Sequence, residues 1–206
     1  MQSLSLFNDA AGLEPVPMID ADVRLMRTFY RAPVTSEFLC RLMDETPWRQ
    51  ETITLWGKTH LQPRLSAWYG DAGSNYAYSG VVLHPLPWTD TLLSIKSDIE
   101  KLTSSRFNSV LINLYRNEQD SVGWHSDAEP ELGSQPVIAS LSLGEMRTFR
   151  MRHKSRKEEK PIGIELHDGD LLLMKGVTQQ FWQHAVAKER APCGPRINLT
   201  FRTILG

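Results

Sequence analysis

The sequence predicts a mainly β protein whose core is a sandwich or jelly-roll barrel, with helices gathered on its N-terminal side. Three observations carry that expectation. After residue 105 the apolar period changes from the three-and-four spacing of helices to two. A succession of short alternating segments follows, and turn signals rather than helices separate several of them. The chain has 206 residues, enough for one sizeable core and short for two.

In chain order, residues 1–34 carry scattered prolines and no sustained period, which predicts an irregular arm ahead of a single domain over 35–206. Residues 35–46 (TSEFLCRLMDET) predict a helix, because Thr35 or Ser36 can cap its start and Pro47 opposes continuation. A second helix is predicted over 87–104. There Trp88, Leu92, Ile95, Ile99 and Leu102 share one face, and Pro87 suits the entrance. Strands are then predicted at 110–115, 137–144, 147–153, 162–166, 170–174, 181–186 and 196–204, with turns at Gly144-Glu145 and Asp168-Gly169. Helices on the N-terminal side would pack against one sheet.

Composition narrows the class without naming a function. Hydrophobic residues make up 41% and charged residues 23%, an ordinary globular balance. No apolar run approaches the roughly 20 residues that span a bilayer, and the opening MQSLSLFNDAAG lacks the marks of a secretory signal, so no membrane partner is expected. Cys40 and Cys193 are too few for a disulfide framework. The expected setting is a reducing one, the cytoplasm of a bacterium or the nucleus of a eukaryote, with the chain a monomer. The formal net charge of -1 means that any grip on a polyanion must come from a local basic patch.

The last predicted strand is the most informative. Alternation places Arg196, Asn198, Thr200 and Arg202 on one face, with Ile197, Leu199, Phe201 and Thr203 on the other. The polar face can simply meet water. Yet two arginines six positions apart stand about 20 Å apart along a strand. Each guanidinium reaches back several ångströms, which leaves a gap suited to a short dicarboxylate, and arginine binds carboxylate bidentately. Upstream, His125 and Asp127 in Gly-Trp-His-Ser-Asp (123–127) project to the same side of extended backbone, and His184 follows on another strand. Two imidazoles and a carboxylate form the open metal face used by non-haem iron(II) oxygenases. An H-x-D pair alone is weak, and a lone histidine is more often a core residue. Their conjunction with the paired arginines is what points to chemistry.

The ordered segments N-L-Y (113–115), H-S-D-A-E (125–129), Q-H-A-V (183–186) and R-I-N-L-T-F-R (196–202) resemble the motifs of the AlkB dealkylases. The similarity extends through R-L-S-A-W-Y-G-D (64–71) and Y-A-Y-S-G (76–80), over most of residues 55–204. The resemblance implies a double-stranded β-helix (jelly-roll, cupin-like) with nucleotide-recognition hairpins at about 50–85. It implies that His125, Asp127 and His184 hold iron(II), and that 2-oxoglutarate and dioxygen bind beside them. Arg196 would pair with the far carboxylate, helped by Asn113 and Tyr115; Asn198 and Arg202 would line the pocket, Arg202 steadying Asp127. The implied reaction yields succinate and carbon dioxide and frees formaldehyde from an N-methyl base of the 1-methyladenine or 3-methylcytosine type in DNA, a direct-reversal repair.

Base recognition requires a flipped nucleotide. By the resemblance Tyr78 and Tyr76 would offer stacking surface, Glu129 a carboxylate for the cationic lesion, and Arg64 a further substrate contact. Trp56, in L-W-G-K (55–58), falls where duplex-acting homologues carry an aromatic finger, although a tryptophan at a turn can equally tuck into the core. The basic run 150–157 suits phosphates or a solvated hairpin edge. Ala128 departs from the duplex-acting pattern, where an acidic residue is common. The expected partner is alkylated DNA, duplex or single-stranded. The alternatives are the same chemistry on RNA or a protein side chain, and a non-catalytic nucleic-acid-binding barrel.

Overall fold

The computed structural model describes residues 12–205 apart from 56, 74–75, 79–80 and 84; at 54–55, 76–78 and 81–83 only the backbone is described. Its elements run β1 (Glu14–Pro15), β2 (Asp22–Met26), α1 (Val34–Glu45), β3 (Thr52–Leu55), β4 (Lys58–Leu61), β5 (Leu65–Gly70), β6 (Tyr76–Tyr78), β7 (Val81–Leu83) and α2 (Asp90–Thr103). They continue as β8 (Ser109–Tyr115), β9 (Val122–His125), β10 (Ile138–Gly144), β11 (Arg147–His153), β12 (Ile162–Leu166), β13 (Leu171–Lys175), α3 (Thr178–Phe181), β14 (Trp182–Val186) and β15 (Arg196–Arg202). A seven-stranded sheet has the order β1-β2-β13-β10-β15-β8-β5, and a four-stranded sheet the order β12-β11-β14-β9. From β8 onward the chain steps between them, with β8, β10, β13 and β15 in the larger sheet and β9, β11, β12 and β14 in the smaller. That interleaving makes the predicted jelly-roll.

Alternation along the strands assigns each side chain to one of two compartments. On one face of the larger sheet, Ile112, Leu141, Leu171, Leu173, Ile197, Leu199 and Phe201 join Leu42 of α1 and Leu92, Ile95 and Ile99 of α2 in the main core. On the other, Ile138, Leu172 and Met174 meet Phe149, Met151 and Trp182 of the smaller sheet inside the barrel. Burying each large aliphatic side chain is worth about 1.5–3 kcal/mol, so the strands are held from both sides. A slip of one residue in β15 would drive its arginines into the helix layer. All seven residues of β15 are buried, so its polar face does not meet bulk water; it lines the barrel.

The helices form where the period placed them, with differences at their ends. The α2 start is capped by Thr89, whose hydroxyl accepts from Leu92 N–H at 3.2 Å, so Pro87 stands ahead of the helix and not in its first turn. Helix α1 begins at Val34 with no side-chain cap. Thr35 instead donates to Asp168 Oδ2 at 2.6 Å, a distant tie that a local capping rule does not foresee. Phe181 lies in the short helix α3, and β15 ends at Arg202, two residues earlier than expected.

The expectation of an irregular arm over 1–34 is corrected from residue 14 onward. Strand β2 pairs with β13 along its length, and β1 pairs with β2. Val23, Met26, Phe29 and Tyr30 are buried in the domain. Arg27 and the Thr28 N–H both engage the buried Asp170, and Tyr30 N–H donates to Gly169 O at 3.2 Å. Gly169 has φ +79, and a Cβ there would lie 2.0 Å from Tyr30 O, so a glycine is required where this segment crosses the β12–β13 turn. A five-residue strand is too short to show a period. Residues 1–11 lie outside the described residues.

Two hairpins form in backbone within residues 52–83. Strands β3 and β4 pair with Leu55 opposite Lys58, and Gly57 has φ +76. Strands β6 and β7 pair with Tyr78 opposite Val81. Among the described residues no helix is long and apolar enough to cross a membrane.

Candidate metal and cosubstrate site

His125 ends β9, Asp127 lies two residues beyond it, and His184 sits in the middle of β14, directly opposite His125 in the β9–β14 pairing. One ligand atom from each lies within 4.8 Å of the others. The ring centroids of the two histidines are 4.2 Å apart. His125 Nδ1 lies 2.8 Å from Gly123 O, a contact that fixes the ring and leaves its other nitrogen for a ligand role. Phe149 stacks on the far imidazole at 5.0 Å.

The electrostatics suit a cation at this point. Burial pushes His184 down to about 3, with His125 reinforcing the shift, so its imidazole is neutral and free to ligate. Burial alone would raise the Asp127 carboxyl, but Arg202, His184 and His125 outweigh it and hold it at about 2. Arg202 Nη2 stands 2.9 Å from Asp127 Oδ2. The Asp127 N–H also donates to Gln179 Oε1 at 3.0 Å, so its loop is held from two directions. The His184 Nδ1 is buried with no protein partner. Two imidazoles and one ionised carboxylate form a donor set that fits iron(II) with positions left open.

The same cavity continues along β15 to Arg196, which is 1% exposed. Its Nη2 donates to Ser142 Oγ at 2.9 Å, while Nε and Nη1 have no partner. Burial lowers it to about 10, so it remains charged at neutral pH. A buried guanidinium with two idle donors lacks a carboxylate, which fits the far end of 2-oxoglutarate. The Asn198 amide donates to Ser140 Oγ at 2.7 Å and to Leu141 O at 3.1 Å. Arg64 Nε donates to Asn113 Oδ1 at 2.9 Å, so Arg64, expected among substrate contacts, stands in the wall of this cavity. Tyr115 is 3% exposed, and its ring centroid lies 5.3 Å from the Arg196 Cζ.

The metal residues and the cosubstrate residues of the sequence analysis are thus brought to one cavity. Glu129 lies beyond Asp127 on the same loop, half-buried, with Oε2 buried and unpartnered. Trp56 lies outside the described residues, and for Tyr76 and Tyr78 only the strand backbone is described. Ser140, Ser142, Gln179, Phe149 and Arg147 were missed. The serines carried a faint signal, since they alternate on one face of an otherwise apolar strand, opposite Thr200 and Asn198 in register. Gln179 and Arg147 act across more than 25 residues of sequence, and spacing holds no trace of that.

Comparisons with known proteins agree with this geometry. A family model described as the 2OG-Fe(II) oxygenase superfamily matches residues 22–202. The human alpha-ketoglutarate-dependent dioxygenase alkB homolog 3 is 49% identical over 172 residues, covering 80% of this chain and 59% of that protein. The DNA oxidative demethylase ALKBH2 of Bos taurus is 39% identical over 159 residues, covering 74% of this chain and 57% of the relative. This chain therefore spans about three fifths of the length of the curated relatives it matches. The solved structure titled "The structure of OsALKBH1" superposes with a TM-score of 0.64 at 17% identity, over 92% of this chain and all of that one, a likeness of fold alone.

Proposed function

Because the chain belongs to the 2OG-Fe(II) oxygenase superfamily and stands with its AlkB homologues, we propose that it oxidatively demethylates alkylated bases in DNA, duplex DNA included. The observation that carries this reading is the placement of the His125–Asp127–His184 cluster at one end of a buried cavity and the half-satisfied Arg196 at the other.

Iron(II), 2-oxoglutarate and dioxygen, when bound, supply an oxygen atom to the N-methyl carbon while the oxoacid becomes succinate and carbon dioxide, and the resulting hydroxymethyl group leaves as formaldehyde. The protein's residues do the rest. His125, Asp127 and His184 hold the metal, and Arg202 orients the Asp127 carboxylate. Arg196 and Ser142 hold the far carboxylate of the cosubstrate. Phe149, Met174 and Val186 close the apolar side of the cavity and keep water from the reacting carbon.

A base methylated at N1 of adenine or N3 of cytosine is cationic, and the unpartnered Glu129 Oε2 favours it over the undamaged base. By the resemblance, Tyr76, Tyr78 and Trp56 would supply flat groups for a flipped base and for the gap it leaves. Arg150 and Arg152 point outward from β11, on the sheet that carries both histidines, where phosphates would pass. The names of the ALKBH2 relatives, DNA oxidative demethylases, support DNA as the substrate class.

The test is mass spectrometry of 1-methyladenine oligonucleotides after incubation with iron(II), 2-oxoglutarate and air. Mass loss of one methyl group is expected on duplex and single strands, with Asp127→Ala inactive and Trp56→Ala impaired most on duplex. Turnover confined to RNA, or none with succinate still unformed, would reject the proposal.

A further inference from the structure

Arg147, at the start of β11, is one of the largest fully buried side chains in the protein, and the metal and cosubstrate roles above do not use it. Its guanidinium is anchored on two loops. Nη2 donates to Asp120 O at 2.9 Å and to Ala187 O, and Nη1 reaches Asn117 O at 3.4 Å. Its acidic partner is Glu189, half-exposed, 3.4 Å from Nε. The first loop follows directly from Tyr115 at the end of β8, and the second leads from β14 towards β15. The Arg147 Cζ lies 5.5 Å from the Tyr115 ring centroid, and the Arg196 Cζ lies 5.3 Å from the same point.

Tying two loops by their carbonyls needs only neutral donors. Placing a second buried cation against the ring that already faces Arg196 is unfavourable in an empty cavity, because like charges in a low-dielectric interior repel. The arrangement becomes favourable when a carboxylate enters next to Arg196. We propose that Arg147 is a positioning residue that acts through Tyr115 to select a cosubstrate with a second carboxylate, a 2-oxo diacid over a 2-oxo monoacid. The inference rests on the cosubstrate role proposed for this cavity. Arg147 itself stays out of the cavity wall; it fixes the Tyr115 ring and adds positive potential at the far-carboxylate end.

The experiment measures binding, not turnover, by titration calorimetry on manganese(II)-loaded protein without oxygen. The probes are 2-oxoglutarate and 2-oxopentanoate, which chelates in the same way and ends in a methyl group. Arg147→Met is expected to weaken 2-oxoglutarate about tenfold, the equivalent of roughly 1.4 kcal/mol, and to leave 2-oxopentanoate unchanged. Parallel weakening of both acids, or no change in either, overturns the proposal and leaves Arg147 a loop tie. Arg196→Met serves as the reference. If that variant weakens both acids alike or weakens neither, the cosubstrate role of the cavity falls; if it weakens 2-oxoglutarate selectively and Arg147→Met does not, only the present inference falls. Should Arg147→Met not fold, Glu189→Gln removes the half-exposed counter-charge of Arg147 instead. It is expected to tighten 2-oxoglutarate binding selectively, and unchanged or weaker binding overturns the proposal.

Discussion

Arg196 and Arg202 stand on the same face of the same strand, both buried, and their surroundings treat them in opposite ways. Arg202 faces Asp127 at 2.9 Å, so its charge is matched inside the protein. Arg196 has neutral partners, Ser142 and Tyr115, and no carboxylate. The strand thus carries one arginine that serves another protein group and one that waits for a ligand. Stability and function are separated along six residues: the matched end builds the metal face, and the unmatched end stores an unfavourable burial that binding relieves.

Substitution by methionine tests this contrast because it keeps volume and removes charge at either end. The largest effect is expected for Arg196→Met on cosubstrate binding, which should weaken on the order of 100-fold, as for loss of one partner in a buried charge pair. The ligand-free protein should nevertheless melt at a higher temperature than wild type, because an unmatched buried cation is replaced by an apolar chain. A lowered melting temperature with unchanged 2-oxoglutarate affinity would reverse the assignment. Arg202→Met should behave in the other sense. It strands the Asp127 carboxylate, and loss of one partner of a buried pair costs about 3 kcal/mol. Metal affinity should fall about tenfold through the loss of the group that orients a ligand. Thermal melts of metal-free protein and manganese(II) titration read both quantities, and equal melting temperatures for the two variants would erase the distinction between the ends.

The legible part of this molecule was what alternation and spacing can encode. Strand β15 could be split into an apolar and a polar face from sequence, and both faces went where that split required. The H-x-D pair and the later histidine likewise met as expected, since β9 and β14 place them opposite each other. Hidden parts share one cause, dependence on a partner far along the chain. Thr35 was read as a helix cap and instead bonds Asp168. Strand β2, five residues long, is too short to show a period, yet β13 recruits it into the sheet. Arg147 lies in a strand that the sequence predicts but carries no role there, and only the fold shows that its side of β11 points inward to Tyr115.

Another arginine–carboxylate pair bounds how much a pair of this kind matters away from the cavity. Arg116 and Asp120 meet at 2.8 Å in the loop after β8, and Asp120 also accepts from the Arg116 N–H at 2.9 Å. Asp120 is almost fully enclosed, whereas Arg116 is 42% exposed, so solvent screens the pair from one side. Burial would raise the Asp120 carboxyl, but the Arg116 side chain, its backbone N–H and Arg147 together lower it below its ordinary value. A carboxyl whose folded pKa is depressed contributes stability that is fully present above its unfolded value, about 3.9, and is lost as pH falls through the folded value. The stability gap between wild type and Asp120→Asn should therefore be constant above about pH 5 and shrink as the pH is lowered towards 2. Chemical denaturation of both proteins across that range measures it. The gap should be smaller than that produced at Arg202, because Arg116 can turn to water when its partner is removed and Asp127 cannot. A gap that widens on acidification would mean that Asp120 is protonated more readily in the folded protein, and that the loop supporting Tyr115 is held by its carbonyls alone.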